Sequence, residues 1–157
     1  MPRFWELDAA RGIAMLMMVI FHFMWDLNYF GLINVSLYSG FWGLFQKATA
    51  GSFLFLAGIS IVLSMNSRKE GFAMHALKRG LAVFCMGLAI TAFTIIFFRE
   101  SFIYFGILHL IGLSIILSVP FVKRKNLSLA TGIAIIALPV LFRIGAIGPS
   151  WLSWLGI

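Results

Sequence analysis

Long runs of apolar residues constrain the possible fold of this chain more than any other feature of its sequence. About five runs each approach the ~20 residues that a helix needs to cross the hydrocarbon core of a bilayer. They extend over about 7–29, 41–65, 77–98, 102–122 and 127–144. Because an isolated strand cannot satisfy its backbone hydrogen bonds in lipid, each run is predicted to be a helix. The expected fold is all-α: a polytopic transmembrane bundle that forms a single domain over residues 1–157.

The charge content excludes an ordinary soluble domain. Charged residues make up 11% of the chain, against roughly 25% in soluble globular domains. The net charge of +7 does not indicate nucleic-acid binding, because the basic residues form short clusters between apolar runs. The single cysteine, Cys85, excludes an intrachain disulfide framework. The partner that this composition implies is the lipid bilayer.

The basic clusters predict an orientation. Nine of the twelve basic residues fall on one predicted side of the membrane: Arg3, Arg11, Arg68, Lys69, Lys78, Arg79, Lys123, Arg124 and Lys125. The other side receives Lys47, Arg99 and Arg143. Because basic residues are concentrated in cytoplasmic loops, the N-terminus is predicted to be cytoplasmic.

Ionisable residues within the apolar runs are the candidates for chemistry, because such groups are costly inside a membrane. On the first helix, Arg11 and His22 are eleven positions apart, which places them about 20° apart around the axis and ~16 Å apart along it. Asp26 follows His22 by four positions and lies beside it on the same face. A carboxylate beside a histidine orients the ring and stabilises its charged form.

His109 lies on the fourth predicted helix, at a depth similar to that of His22, so the two histidines are expected to face a common polar cavity. Each candidate also has a structural interpretation. Arg11 can reach the interface and pair with Asp8 one turn earlier, Asp26 can be solvated near the outer interface, and His109 can hydrogen-bond a neighbouring helix.

Small residues predict where helices pack closely, since they let backbones approach each other in lipid. Gly80 and Gly87 lie two turns apart on the third predicted helix. A second group crowds the second helix and includes Gly51 and Gly58. Both groups are assigned to packing rather than to chemistry.

Three segments resemble a known family: Glu6–Ala14 with the following stretch to Asp26, Gly51–Ser60, and Tyr104–Gly112. They are similar to the catalytic domain of heparan-alpha-glucosaminide N-acetyltransferase and its prokaryotic relatives. The wider superfamily includes membrane acyltransferases that O-acetylate bacterial surface polysaccharides and share an arginine, ten residues and then a histidine. Arg11 and His22 match that spacing. The resemblance covers the first four helices.

The resemblance implies acyl transfer from cytoplasmic acetyl-CoA or another acyl-CoA to a sugar hydroxyl or amine across the membrane, without a metal. Arg11 would then engage the donor, and His22 would be the general base or a transient acyl acceptor. Asp26 would orient His22, and His109 would line the polar cavity from the fourth helix. It also implies a location in the cytoplasmic membrane of a prokaryote.

Lys78 and Arg79 in the basic loops suit the phosphates of CoA, although they serve equally well as topology signals. Family members usually have more helices than this chain, so we expect a fragment or a reduced relative.

Two other function classes stay open at this stage. His22 and His109 on antiparallel helices are an arrangement that also holds b-type haem. Alternatively, the chain is half of a transporter or channel that forms a pore with another chain or as a homo-oligomer, with His22 and Asp26 as a proton relay. The visible absorbance of the purified protein separates the haem hypothesis from the others.

Overall fold

The computed structural model describes residues 4–68, 70–99 and 102–142, with side chains as far as Ala137. All regular secondary structure in these residues is helical. In chain order the helices are α1 (Trp5–Tyr29), α2 (Gly40–Ser67), α3 (Phe72–Phe97), α4 (Ile107–Ser118) and α5 (Lys125–Phe142). The predicted all-α fold class is confirmed.

Three of these helices are long and apolar enough to cross a membrane. α1, α2 and α3 contain 25, 28 and 26 residues and meet this criterion by length and composition among the described residues. α4 contains only 12 residues, which corresponds to about 18 Å in a hydrocarbon core of about 30 Å. The predicted fourth helix over 102–122 is therefore too long at both ends, because residues 102–106 and 119–122 are not helical.

Some of the sequence predictions fall on parts of the chain that the structure does not describe. The predicted end of the fifth helix at Ile144 lies outside the described residues, and so do Arg3, Lys69 and Arg143. The start of α3 is described and lies five residues before the predicted one, at Phe72. Hydropathy marks only the apolar part of a helix, so the polar first turns were missed.

The described residues divide into two compact units, Met1–Ser67 and Arg68–Ile157. The first contains α1 and α2, joined by a short loop. Gly31, with a φ of 71°, ends α1: its N–H donates to the Asn28 carbonyl and the Leu32 N–H donates to the Leu27 carbonyl. These two hydrogen bonds form a Schellman C-cap. The motif favours glycine because a glycine, which has no Cβ, adopts the left-handed conformation without a steric penalty.

The second unit contains an antiparallel pair, α3 and α4, with glycines at the contact. A Cβ built on Gly80 would lie 2.9 Å from the Gly112 carbonyl oxygen, and one on Gly112 would lie 2.6 Å from the Phe84 amide nitrogen. The predicted close packing at Gly80 and Gly87 is confirmed. The prediction fails at Gly51 and Gly58 in α2, where a Cβ would have no neighbour within 4 Å among the described residues.

Candidate functional site

Arg11 links α1 to α2 within the first unit. Its Nη1 donates to Asp8 Oδ1 at 2.8 Å, and its Nη2 donates to Ser60 Oγ at 2.7 Å. Ser60 is buried and donates in turn to the Leu56 carbonyl at 2.7 Å. The pairing with Asp8 that the sequence suggested is present. Ser60 was not predicted as a partner, because its 49-residue separation from Arg11 leaves no local signal.

The network leaves Arg11 able to bind further groups. A guanidinium carries five N–H donors, of which two have partners among the described residues. The Arg11 side chain is 41% exposed. The arginine is therefore held in one place by Asp8 and Ser60 and still presents positive charge at its surface.

Removal of the Ser60 hydroxyl should weaken the α1–α2 pair without removing the cation. We expect Ser60→Ala to lower the free energy of unfolding by about 1 kcal/mol, because one hydrogen bond to a charged but half-exposed group is lost. Unfolding in mixed detergent micelles measures this. Ser64→Ala, on the same helix, provides a control for serine removal, and equal stability of the Ser60 variant and the native protein would contradict the expectation.

His22 and Asp26 lie on α1, on the same face and four positions apart. Both are exposed within the described structure. The His22 ring meets the Phe21 ring edge-on at 6.2 Å, and no hydrogen bond joins His22 to Asp26 among the described side chains. The predicted role of Asp26 as the orienting carboxylate stays a prediction.

His109 occupies a different setting in the second unit, in the first turn of α4. It is 2% exposed and lies between the Phe84 ring, edge-on at 5.3 Å, and the Phe105 ring, stacked at 5.2 Å. Gly87 on α3 makes this possible, because a Cβ there would lie 2.9 Å from Nδ1 of the histidine. The contact between α3 and α4 therefore includes a buried imidazole ring as well as small residues.

The two ring nitrogens of His109 differ. Nδ1 accepts a hydrogen bond from the Gly106 N–H at 3.1 Å. This bond provides a partner for the backbone donor of the residue that precedes α4. Nε2 is buried and has no partner among the described residues. The sequence singled out His109 as a polar residue in an apolar run, but nothing in it distinguished the two nitrogens.

Among the non-helical residues 102–106, which precede His109, Ile103 is hydrogen-bonded to α3. Thr91 Oγ1 donates to the Ile103 carbonyl at 2.8 Å, and the Ile103 N–H donates to Thr94 Oγ1 at 3.2 Å. Non-helical backbone in an apolar setting needs such partners, because each polar group left without one is costly. Two threonines three positions apart in an apolar helix are the sequence signal for this contact, which was not predicted.

Five basic residues of the second unit share one end of the α3–α4 pair. Lys78 and Arg79 lie near the start of α3, and Lys123, Arg124 and Lys125 follow α4. Because Gly80 contacts Ile116 near the end of α4, these cations are at the same end of the antiparallel pair. Lys78 and Arg79 are exposed. This end of the unit attracts anions of any source, including lipid headgroups and phosphate esters.

The fold and the polar residues define an integral membrane protein of apolar helices, with a few ionisable groups placed inside the helices. The family model described as heparan-alpha-glucosaminide N-acetyltransferase, catalytic, matches residues 3–157. The chain belongs to this family, and the resemblance proposed from its sequence is confirmed. Comparison with curated proteins and with solved structures gave no match.

Proposed function

We propose that this protein transfers an acetyl or other acyl group from cytoplasmic acyl-CoA to a hydroxyl or amine of a sugar on the opposite side of the membrane. The observation that carries the proposal is the family match over residues 3–157. The apolar helices supply the membrane setting. We place the protein in the cytoplasmic membrane of a prokaryote as part of the same proposal.

His22 is the residue that we assign to the transfer step. As a general base, His22 takes the proton of the acceptor hydroxyl or amine while the acceptor oxygen or nitrogen attacks the thioester carbonyl. The C–S bond then breaks, and CoA leaves as the thiol with the proton. As a transient acyl acceptor, His22 would instead form and lose an acyl bond in two successive steps. Asp26, four positions away, stabilises the charged ring in either case.

Arg11, Lys78 and Arg79 are assigned to the acyl-CoA donor. Each carries a positive charge that suits the phosphates of CoA. The exposure of Lys78 and Arg79, together with three more cations at the same end of the second unit, supports this assignment. Arg11 retains donors that Asp8 and Ser60 do not use.

The donor site is tested by titration of the detergent-solubilised protein with acetyl-CoA in a calorimeter. We expect saturable binding that Arg11→Ala weakens by about tenfold, since loss of one charged contact costs about 1.5 kcal/mol or more. Ser60→Ala is the matched control, because it removes the α2 partner of Arg11 and keeps the cation.

The two variants separate a binding role from a structural one. Equal weakening by Arg11→Ala and Ser60→Ala would mean that Arg11 acts only by holding α1 against α2. Absence of acetyl-CoA binding by a folded native sample would contradict the donor assignment. A spectrum with a haem absorption band would favour the bis-histidine hypothesis instead.

A further inference from the structure

The buried Nε2 atom of His109 is a polar group that the fold of the second unit does not use. It lies beneath two aromatic rings and has no hydrogen-bond partner among the described residues. Burial of an unpartnered polar atom is costly, and native structures contain few of them. The Gly106 N–H accounts for an acceptor at Nδ1, but no described residue accounts for the polar group at Nε2.

The hydrogen bond at the other nitrogen determines what Nε2 can do. A backbone N–H can only donate, so Nδ1, which receives the Gly106 N–H, must carry a lone pair. The neutral ring therefore has its proton on Nε2. While α4 keeps this cap, neutral His109 is a hydrogen-bond donor at Nε2 and cannot act as a general base there.

The surroundings of the ring indicate which acceptor it suits. Phe84 and Phe105 provide an apolar setting, in which an isolated anion is poorly solvated. An uncharged oxygen is the better partner. His109 is also the third residue of α4, within the helix turn where aligned peptide dipoles favour negative charge. A carbonyl oxygen that gains negative charge during a reaction fits both conditions.

A distance within the second unit indicates which carbonyl group could reach His109. Gly87, which contacts the His109 ring, follows Lys78 and Arg79 by nine and eight positions, which is about 12–14 Å along α3. The pantetheine arm of CoA has a chain of 12 atoms between the phosphorus and the sulfur, equivalent to about four residues and so about 15 Å long when extended. Phosphates at the basic end would therefore place the thioester near the histidine.

Resting on the proposed acyl-CoA donor, we propose that His109 Nε2 donates a hydrogen bond to the thioester carbonyl oxygen of acyl-CoA. The donor stabilises the negative charge that this oxygen acquires when the acceptor attacks. Because the ring is covered in the free protein, a covering side chain moves when the thioester binds. Phe105 is suited to this movement, because it belongs to the non-helical residues 102–106.

Two substitutions separate the two nitrogens of His109. His109→Asn keeps an acceptor near the position of Nδ1 for the Gly106 N–H and removes the donor at Nε2. His109→Gln places an amide N–H near the position of Nε2 and removes the Nδ1 cap. With acetyl-CoA as donor and glucosamine as the acceptor probe, we expect His109→Asn to lower kcat by about 10²- to 10³-fold, as loss of one oxyanion donor does. His109→Gln should retain most of kcat.

The infrared band of acetyl-CoA labelled with ¹³C at the carbonyl gives a direct reading of the bond. We expect the band to shift to lower frequency on binding to the native protein and to His109→Gln, and to stay unshifted with His109→Asn. A measurement on the native protein does not depend on how the variants fold. The chain has three histidines, and ¹⁵N-labelled His109 should show a protonated Nε2 whose proton resonance moves when acetyl-CoA binds.

The outcomes distinguish this inference from the function on which it rests. If the native protein binds no acetyl-CoA, the proposed function and this inference both fail. If it binds acetyl-CoA while the carbonyl band is unshifted and the His109 resonance is unchanged, only this inference fails. A protonated Nδ1 in the free protein would overturn the inference before any ligand is added.

Discussion

Substitution of His22 by alanine is expected to lower the rate of acetyl transfer by about 10²- to 10⁴-fold, the range that positioned proton transfer contributes. The His22 side chain is exposed on α1, so its removal should leave the stability of the fold nearly unchanged. Affinity for acetyl-CoA should also be nearly unchanged, because the charged groups assigned to the donor are elsewhere. The measurement is the release of CoA thiol in the presence of a sugar acceptor, together with acetyl-CoA titration.

The matched control for His22 is His75→Ala, which removes a histidine from the first turns of α3 and should retain the native rate. Exchange of labelled CoA into acetyl-CoA without acceptor would indicate the acyl-acceptor role, and absence of exchange with turnover intact would indicate the base role. Full activity of the His22 variant would remove this residue from the mechanism and leave the family assignment in place.

Replacement of Gly112 by alanine should produce the largest loss of stability in the second unit. The new Cβ would lie 2.6 Å from the Phe84 amide nitrogen and 2.8 Å from the Gly80 carbonyl oxygen. Both are backbone atoms, so α3 and α4 must separate to admit the methyl group. We expect the free energy of unfolding to fall by about 1–3 kcal/mol, the typical cost of overpacking. Unfolding of the reconstituted protein in mixed micelles measures the change.

Gly132→Ala is the matched control for Gly112→Ala. Gly132 is also helical, in α5, and a Cβ there would have no neighbour within 4 Å among the described residues. This substitution should be neutral or slightly stabilising, because alanine favours a helix over glycine by about 1 kcal/mol. Equal effects of the two substitutions would contradict the close approach of α3 and α4.

The helices were predictable because a helix in lipid needs a long run of apolar residues, and hydropathy detects such runs. α1 and α2 differ from their predicted bounds by only a few residues, since their apolar runs are as long as the helices themselves. The fourth helix was predicted too long because residues 102–106 are as apolar as a helix would be. Among them, Ile103 is hydrogen-bonded to Thr91 and Thr94 of α3, and a hydropathy pattern carries no information about such partners.

Of the contacts that the candidate residues make, the sequence predicted one and missed the others. Periodicity along one helix placed Arg11 near Asp8, and the salt bridge between them is present. It could not indicate Ser60, which approaches Arg11 only because α1 and α2 pack together. His109 was noticed for its polarity, but the difference between its two nitrogens arises from Gly106 and from the space above Gly87.

The threonine contacts of α3 also bear on how the chain enters the bilayer during synthesis. Ile103 obtains both of its backbone hydrogen bonds from Thr91 and Thr94, and each backbone group left without a partner in hydrocarbon costs several kcal/mol. Ile103 would therefore lack both partners if it entered hydrocarbon without α3 beside it. We therefore expect α3 and α4 to enter the bilayer together, as one hairpin.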